Sequence, residues 1–246
     1  MIAFNTAILV WLAAATAHAV SLPVANPGFE ADFAAPNSFP VLTPQGWSLY
    51  DPSGIVEFNL DAIGVLNPTA STFFPAGAPE GSNVALVFLS GDVGGGRAGV
   101  SQILAVTLES ETIYTLTVAV GNIASGFGAP PFDSFFNLDG FPGYGVQLLA
   151  GDAVIAEDAN TLAATLGEGS FDTSVVAIEI GAEHAQLGAA LAIRLVNLNT
   201  PGTPDEPGIE VDFDDVHLDA TPVPAPSRVA QSLGAIATLV ALCRRR

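Results

Sequence analysis

Carboxylates are the side chains in this sequence with the clearest capacity for chemistry. The chain has 25 Asp and Glu residues against six Arg and no Lys, for a formal net charge of −19. Glu30 lies near the start of the body and Asp214 near its end. The first and last strands of a jelly roll are often neighbours, so these carboxylates could meet. Calcium takes about six to eight hard oxygens, from carboxylates and carbonyls. A calcium site is one hypothesis, and two solvated strand-end charges are the other.

Residues for other common chemistries are lacking. The single cysteine, Cys243, lies in the C-terminal tail, which excludes a thiolate site or a disulfide from the body. No HExxH or GxSxG motif occurs, and His184 and His217 are isolated. Gly91–Gly96 lacks the Lys of a phosphate loop and predicts a hairpin turn. Paired carboxylates of the glycosidase kind remain open, because nothing singles out one pair.

The charge is unevenly distributed along the chain. All 25 carboxylates lie between Glu30 and Asp219, where Arg97 and Arg194 are the only basic residues apart from histidine. So acidic a surface repels nucleic acid and anionic lipid headgroups, and it attracts divalent cations. We therefore expect no nucleic-acid partner.

Residues 1–19 predict a signal peptide. An apolar run from Ala7 to Ala15 precedes Ala17-His18-Ala19, a small-x-small pattern for signal peptidase, so cleavage is expected after Ala19. The segment before the apolar run has no Lys or Arg, which is atypical. A buried N-terminal helix is the alternative.

Residues 222–246 predict a membrane-associated tail with a short transmembrane helix. Pro224-Ala225-Pro226 precedes the apolar run Val229–Cys243, and three arginines end the chain. The order resembles the PEP-CTERM sorting signal, with Ala225 in place of its Glu. The resemblance implies processing by signal peptidase and an exosortase, a membrane partner, and a location at the cell surface or in the extracellular matrix. A plain membrane anchor is the alternative.

Residues 20–221 predict one all-β domain, a jelly-roll β-sandwich of about eight antiparallel strands, between an N-terminal signal helix and a C-terminal apolar helix. No body segment has sustained helical periodicity, and Gly, Pro, Asn and Asp separate the apolar runs. The predicted strands are Ile55–Phe58, Asn83–Leu89, Gly99–Leu104, Thr112–Val120, Tyr144–Leu149, Thr173–Ile180, Ala190–Val196 and Ile209–Leu218.

Two long loops interrupt these strands. Gly121–Gly143 contains five Phe and three Pro residues, and so long a loop rich in aromatics is typical of a functional segment. Asn199–Gly208 predicts a surface excursion before the last strand.

Motifs at both ends of the body resemble family 4/9 carbohydrate-binding modules. They are Asn26-Pro27-Gly28-Phe29-Glu30 with Gly46-Trp47, then Ala78–Val84, then Val211–Leu218. That family is a jelly roll with a structural calcium. The resemblance implies a calcium cofactor held by the carboxylates of Glu30 and Asp214 and by main-chain carbonyls of Gly28, Glu80, Asn83 and Asp214.

The central motifs resemble exported bacterial proteins of unassigned role and the Stig cyclases, over roughly Pro23–Ala220. They are Val100-Ser101-Gln102, Tyr114–Val118 and Tyr144–Gly151. The Stig cyclases rearrange and cyclise indole-isoprenoid intermediates and bind calcium. If the resemblance extends to activity, it implies a protonating acid in an aromatic pocket, with Asp212 and Asp214 as candidates. The candidate ligand-binding aromatics are Tyr50, Phe74, Phe88, Phe132, Phe135 and Phe136.

Acids among aromatics are also typical of a sugar-binding cleft, so the sequence leaves enzyme status open and favours a non-enzyme. The main expectation is an exported, calcium-stabilised surface or matrix protein that is sorted by an exosortase and has polysaccharide as its candidate ligand. The first alternative is a Stig-like cyclase that acts by acid catalysis, and the second is a purely structural matrix protein. The cyclase predicts a buried acid among aromatics, whereas the binding module predicts an open groove.

Overall fold

The computed structural model describes five parts of the chain and contains no helix among them. The predicted signal helix, the predicted apolar tail helix and Phe132 lie outside the described residues. Within the described parts, no helix is long and apolar enough to cross a membrane. The described parts are residues 18–57, 62–90, 96–128, 134–200 and 208–224.

The described residues fold into two facing antiparallel sheets and a small hairpin, which confirms the predicted all-β sandwich. More strands are present than predicted. They are β1 Val20–Leu22, β2 Ser48–Tyr50, β3 Ala62–Leu66, β4 Val84–Ser90, β5 Ala98–Thr107, β6 Thr112–Asn122, β7 Gly126–Phe127, β8 Phe135–Phe136, β9 Tyr144–Ala150, β10 Ala153–Ala159, β11 Ser170–Ile180, β12 Ala190–Asn197 and β13 Gly208–Pro222.

The six-stranded sheet is built around the long last strand. Its order is β11-β6-β13-β4-β3, with β1 also paired to β13. The first half of β13 pairs with β4 and most of its length pairs with β6. The β13–β6 ladder shifts between Asp214 and His217, so a β-bulge lies immediately after Asp214. The central strand of this sheet therefore carries the acidic motif.

The five-stranded sheet has the order β10-β9-β12-β5-β2, and β7 pairs with β8 in the separate hairpin. Alternation along the strands directs one side chain in two into the core between the sheets. On β13, Val211 and Phe213 are fully buried there. Their neighbours Glu210, Asp212 and Asp214 therefore point to the outer face of the six-stranded sheet.

A second apolar cluster covers one end of that outer face. We call it the outer cluster. Phe136 of the hairpin joins it, with its ring centroid 5.8 Å from that of Phe39 and 6.4 Å from that of Phe73. The cluster therefore holds the hairpin over the sheet. Its members are Leu66, Phe73, Phe74, Val84, Leu86, Ile123 and Leu138, with the partly buried Phe39, Ala62, Ala78, Phe88, Phe136 and Phe171.

One buried carboxylate joins three strands at the side of the sandwich. Asp158 on β10 accepts hydrogen bonds from the hydroxyls of Tyr144 on β9 at 2.7 Å, Ser174 on β11 at 2.6 Å and Thr161 at 3.0 Å. Burial alone would raise the pKa of Asp158, but these hydrogen bonds hold it below its ordinary value. The network links an edge of the five-stranded sheet to an edge of the other sheet.

The predicted strand Ile55–Phe58 is wrong. Residues 55–57 form no strand, and Phe58 lies outside the described residues. The carboxylate of Asp51 accepts hydrogen bonds from the main-chain N–H groups of Ile55 and Val56, which closes a turn instead. The long loop Gly121–Gly143 contains β7 and β8.

We predict that Asp158→Ala destabilises the fold by about 3 kcal/mol, because three hydroxyl donors lose a charged acceptor in a buried site. Urea unfolding measures the effect. Asp172→Ala, which removes an exposed acid from β11, is the matched control and should cost under about 1 kcal/mol. Equal losses in the two variants would contradict the linking role of Asp158.

Candidate active site

Glu210 and Asp212 lie side by side on the outer face of β13. Asp212 is directly opposite Leu86 of β4 on one side and Gly121 of β6 on the other. Glu210 is opposite Phe88. Because β13 is an inner strand of its sheet, both carboxyl groups are far from a sheet edge and are covered from above by the outer cluster.

The carboxyl group of Asp212 is completely enclosed. Asp212 is 0% exposed, Glu210 is 7% exposed, and neither side-chain oxygen of Asp212 has a hydrogen-bond donor in the described part of the chain. Two ionised carboxylates are both acceptors, so this pair can be hydrogen-bonded only when it shares a proton. Burying both groups ionised would be very costly, so the site favours the protonated pair.

The electrostatics of the pair follow from that enclosure. Burial raises the pKa of Asp212 well above its ordinary value, and the neighbouring charge of Glu210 raises it further. Burial raises the pKa of Glu210 to about 7. The pair therefore retains a proton near neutral pH, as a general acid must.

Aromatic side chains lie on both sides of the acid pair. Leu86 and Phe88, which lie opposite the two acids on β4, belong to the outer cluster. On the other side, Gly121 has no side chain, and the ring of Phe171 occupies the space where a Cβ would lie. The Phe171 ring also stacks on Phe74 at a centroid distance of 4.3 Å. The acid therefore lies in a dry site with aromatic faces, which stabilise cations.

Asp214 faces a different set of groups. Its Oδ2 accepts a hydrogen bond from the N–H of Glu80 at 2.8 Å, and its Oδ1 accepts one from the N–H of Asp215 at 2.8 Å. The Glu80 carboxylate lies directly against Gly28, where no Cβ would fit. Burial raises the pKa of Asp214 to about 8, the two N–H groups lower it, and the charges of Glu80 and Asp215 raise it.

Glu30 lies at the same junction of chain segments. Its Oε1 accepts hydrogen bonds from the N–H groups of Ser82 at 2.7 Å and Asn83 at 2.6 Å. The side-chain amide of Asn83 donates to the carbonyl oxygens of Phe29 at 3.1 Å and Asp32 at 2.9 Å. The structure thus brings together the segments that carry the five predicted metal residues, namely Gly28, Glu30, Glu80, Asn83 and Asp214.

The donor chemistry of this junction suits calcium, with one restriction. Carboxylate and carbonyl oxygens dominate it, and no basic side chain pairs with Asp214 in the described residues. However, no group of three or more His, Cys, Asp or Glu side chains in those residues is arranged to hold a metal ion. A calcium ion here would therefore depend largely on main-chain carbonyl oxygens.

The predicted ligand-binding aromatics separate into distinct places. Phe74, Phe88 and Phe136 belong to the outer cluster. Phe135 is 57% exposed and packs on Phe127, at a centroid distance of 5.3 Å. Tyr50 lies on β2 in the other sheet, so it is not part of the same site.

Glu210, Phe171 and Gly121 were not predicted from the sequence. The alternation Glu210-Val211-Asp212 was the available signal for Glu210, because residues two apart in a strand share a face. The roles of Phe171 and Gly121 depend on the pairing of β11 with β6, which places them directly opposite one another. No local sequence pattern encodes that pairing.

A family model matches most of this chain. The model of the HpiC1-like family, described as HpiC1 cyclase, matches residues 20–219. The match covers most of the chain and includes both acids and the outer cluster. The chain therefore belongs to the HpiC1-like cyclase family.

Solved structures of Stig cyclases from Fischerella are similar to this chain. The Fischerella sp. TAU cyclase in complex with (3Z)-3-(1-methyl-2-pyrrolidinylidene)-3H-indole has 39% identity and a TM-score of 0.71, over 84% of this chain and 100% of that one. An apo cyclase from Fischerella sp. has 39% identity and a TM-score of 0.72, over 84% and 98%. The TAU cyclase with 4-(1H-indol-3-yl)butan-2-one has 40% identity and a TM-score of 0.71, over 84% and 100%. No curated protein matches the chain.

These comparisons overturn the main functional expectation. The interpretation as a non-enzymatic, polysaccharide-binding surface or matrix protein is wrong, because both the family and the similar solved structures are cyclases. They give no support to a PEP-CTERM tail, an exosortase or a transmembrane helix. The stated alternative, a Stig-like cyclase, agrees with them better.

We predict that stability declines as the pH rises through about 7. The pKa of Glu210 in the folded protein lies above its ordinary value of 4.5. The contribution of Glu210 to the free energy of unfolding is therefore complete below pH 4.5, and it is lost as the pH rises through about 7. Urea unfolding should give about 3 kcal/mol less from this group near pH 8.5 than near pH 5. Glu210→Gln should remove that portion of the decline, and an unchanged pH dependence in this variant would contradict the assignment.

Proposed function

We propose that this protein is an acid-initiated cyclase in which Asp212 donates the proton that starts the reaction. The observation that carries the proposal is the fully enclosed Asp212 carboxyl group, which has no donor partner in the described residues and lies beside an aromatic cluster. A carboxyl group kept neutral by burial is a suitable general acid for an unsaturated, apolar substrate. Membership of a cyclase family supports the same conclusion.

In this proposal each group has one task. Protonation by Asp212 leaves a cation on the substrate, and the faces of Phe88 and Phe171 stabilise that cation as the ring closes. The outer cluster excludes water, which would otherwise trap the cation as an alcohol. Asp212, now a carboxylate, accepts the proton released when the cyclic cation collapses to product, and this restores the acid. Glu210 holds Asp212 in its protonated form between turnovers.

The proposed substrate is an indole that carries an isoprenoid-type unsaturated chain. The two ligands present in the similar Fischerella structures both contain an indole-type ring system. The outer cluster of this chain consists mainly of Phe, Leu, Ile and Val side chains, which suit contact with an apolar aromatic molecule and do not suit a polyhydroxylated sugar.

We further propose that calcium stabilises the junction of Gly28, Glu30, Glu80, Asn83 and Asp214. The support is the concentration of oxygen donors from three distant segments, together with the absence of a basic side chain paired with Glu80 or Asp214 among the described residues. Bound calcium would supply positive charge there. Its effect on the neighbouring site would be to fix the β13 bulge next to Asp212.

We also propose that the protein is exported, since the family match begins at residue 20, directly after the predicted cleavage site.

We predict that Asp212→Asn lowers turnover of an indole-isoprenoid substrate by about a hundredfold or more, because an amide cannot donate the initiating proton. Product formation measured by chromatography checks this. Asp219→Asn, which changes another acid on β13 beyond the bulge, should keep nearly full activity. Full activity of Asp212→Asn would contradict the proposed mechanism.

We predict that calcium raises the melting temperature by about 5–10 °C at roughly 100 times its Kd, because it binds only the folded junction. Differential scanning calorimetry with calcium and with a chelator checks this. Glu30→Gln should weaken the response, whereas Glu168→Gln, an exposed loop acid, should not. A melting temperature that does not respond to calcium would rule out the proposed metal.

A further inference from the structure

Arg194 lies at the centre of the five-stranded sheet, on the face that points away from the core. Its strand, β12, is the middle strand of the sheet. The neighbours Ile193 and Leu195 are fully buried in the core, so the Arg194 side chain points to the outer face. This face is on the opposite side of the sandwich from Asp212.

The guanidinium group is held in a fixed position. Its Cζ lies 4.1 Å from the centroid of the Tyr50 ring, and Nη1 donates a hydrogen bond to Oε1 of Gln147 at 3.1 Å. Gln147 in turn donates from Nε2 to Oε1 of Glu157 at 2.8 Å. Stacking and one hydrogen bond therefore orient the guanidinium plane before any ligand arrives.

The charge of Arg194 has no counter-ion in the described residues. The one ion pair that the described residues form joins His217 to Asp215. This is unusual in a chain with 25 carboxylates, and Gln147 separates Arg194 from the nearest acid across the strands, Glu157. Nε of Arg194 is buried without a partner. No described residue therefore neutralises the charge of the guanidinium.

Two parallel rows of side chains run across this face. The polar row crosses all five strands, and the apolar row lies two residues further along, at a separation of about 7 Å. In the apolar row, Ile103 and Val154 are 79% and 43% exposed, whereas Leu149 and Ala192 between them are 2% and 8% exposed. The polar row is Glu157, Gln147, Arg194, Ser101 and Ser48, and the apolar row is Val154, Leu149, Ala192 and Ile103.

We propose that this face binds a small amphipathic monocarboxylate, with its carboxylate on Arg194 and its apolar part against Ile103. The planar guanidinium matches a carboxylate through paired hydrogen bonds. The overall charge of −19 repels a multiply charged anion more strongly than a singly charged one, which favours a carboxylate over a phosphate. The site is independent of the acid pair.

The test uses the full chain with 3-phenylpropionate as the probe and neutral 3-phenylpropanamide as its matched control, followed by amide NMR. The acid should give saturable shifts at Ser101, Ile103 and Arg194, and the amide should bind at least tenfold more weakly. Equal binding of the two compounds overturns the proposal. Shifts confined to Gly121, Leu86 and Asp212 would place the probe at the acid pair and overturn it as well.

Matched variants separate a specific site from general charge attraction. Arg194→Gln should weaken binding of the acid at least tenfold, and Arg194→Lys should restore only part of it, because lysine lacks the planar fork. Arg97→Gln removes the other arginine of the body, which is exposed, and should leave binding unchanged. Equal loss in the Arg194 and Arg97 variants would show non-specific attraction and contradict the proposal. Circular dichroism verifies that each variant is folded.

Discussion

The arrangement of the last strand depends on the burial of one carboxyl group, that of Asp212, which costs free energy. Asp212 is fully enclosed on the last strand, has no donor in the described residues, and lies next to a second buried acid, Glu210. Such a pair is tolerated only when it keeps a proton, because two bare charges in a dry site would be far too costly. Several kcal/mol of other burial must offset it, and the opposite face of the same strand supplies this through Val211 and Phe213 in the core.

The position of the acid on β13 also determines its surroundings. One neighbouring strand presents Leu86 and Phe88, and the other presents Gly121, whose missing side chain leaves room for the ring of Phe171. Two residues further on, the strand enters the bulge at Asp214, where one hydrogen bond from the N–H of Glu80 connects it to that segment. A single strand thus joins the core, the candidate acid and the proposed metal junction, which explains how distant segments can influence the chemistry.

Local patterns predicted much of the fold, and long-range pairing determined the rest. β-branched alternation predicted β6 well, because buried and partly buried residues alternate over the first half of this strand. Ile55 and Val56 are also β-branched, yet the carboxylate of Asp51 accepts their main-chain N–H groups and closes a turn there instead of a strand. Asp212 was named from the resemblance, but Glu210 was missed among 25 acids because burial, and not residue type, distinguishes it. The non-enzymatic interpretation was wrong for a related reason. The proposed acid catalysis needs a single enclosed carboxyl group, and a single residue forms no sequence motif that could be recognised.

The most direct test of this account is the protonation state of Asp212 at neutral pH, measured by infrared difference spectroscopy between the native protein and Asp212→Asn. The native protein should show the carbonyl band of a protonated carboxylic acid, and the variant should lose this band. A native spectrum at neutral pH in which every carboxyl group is ionised would contradict it.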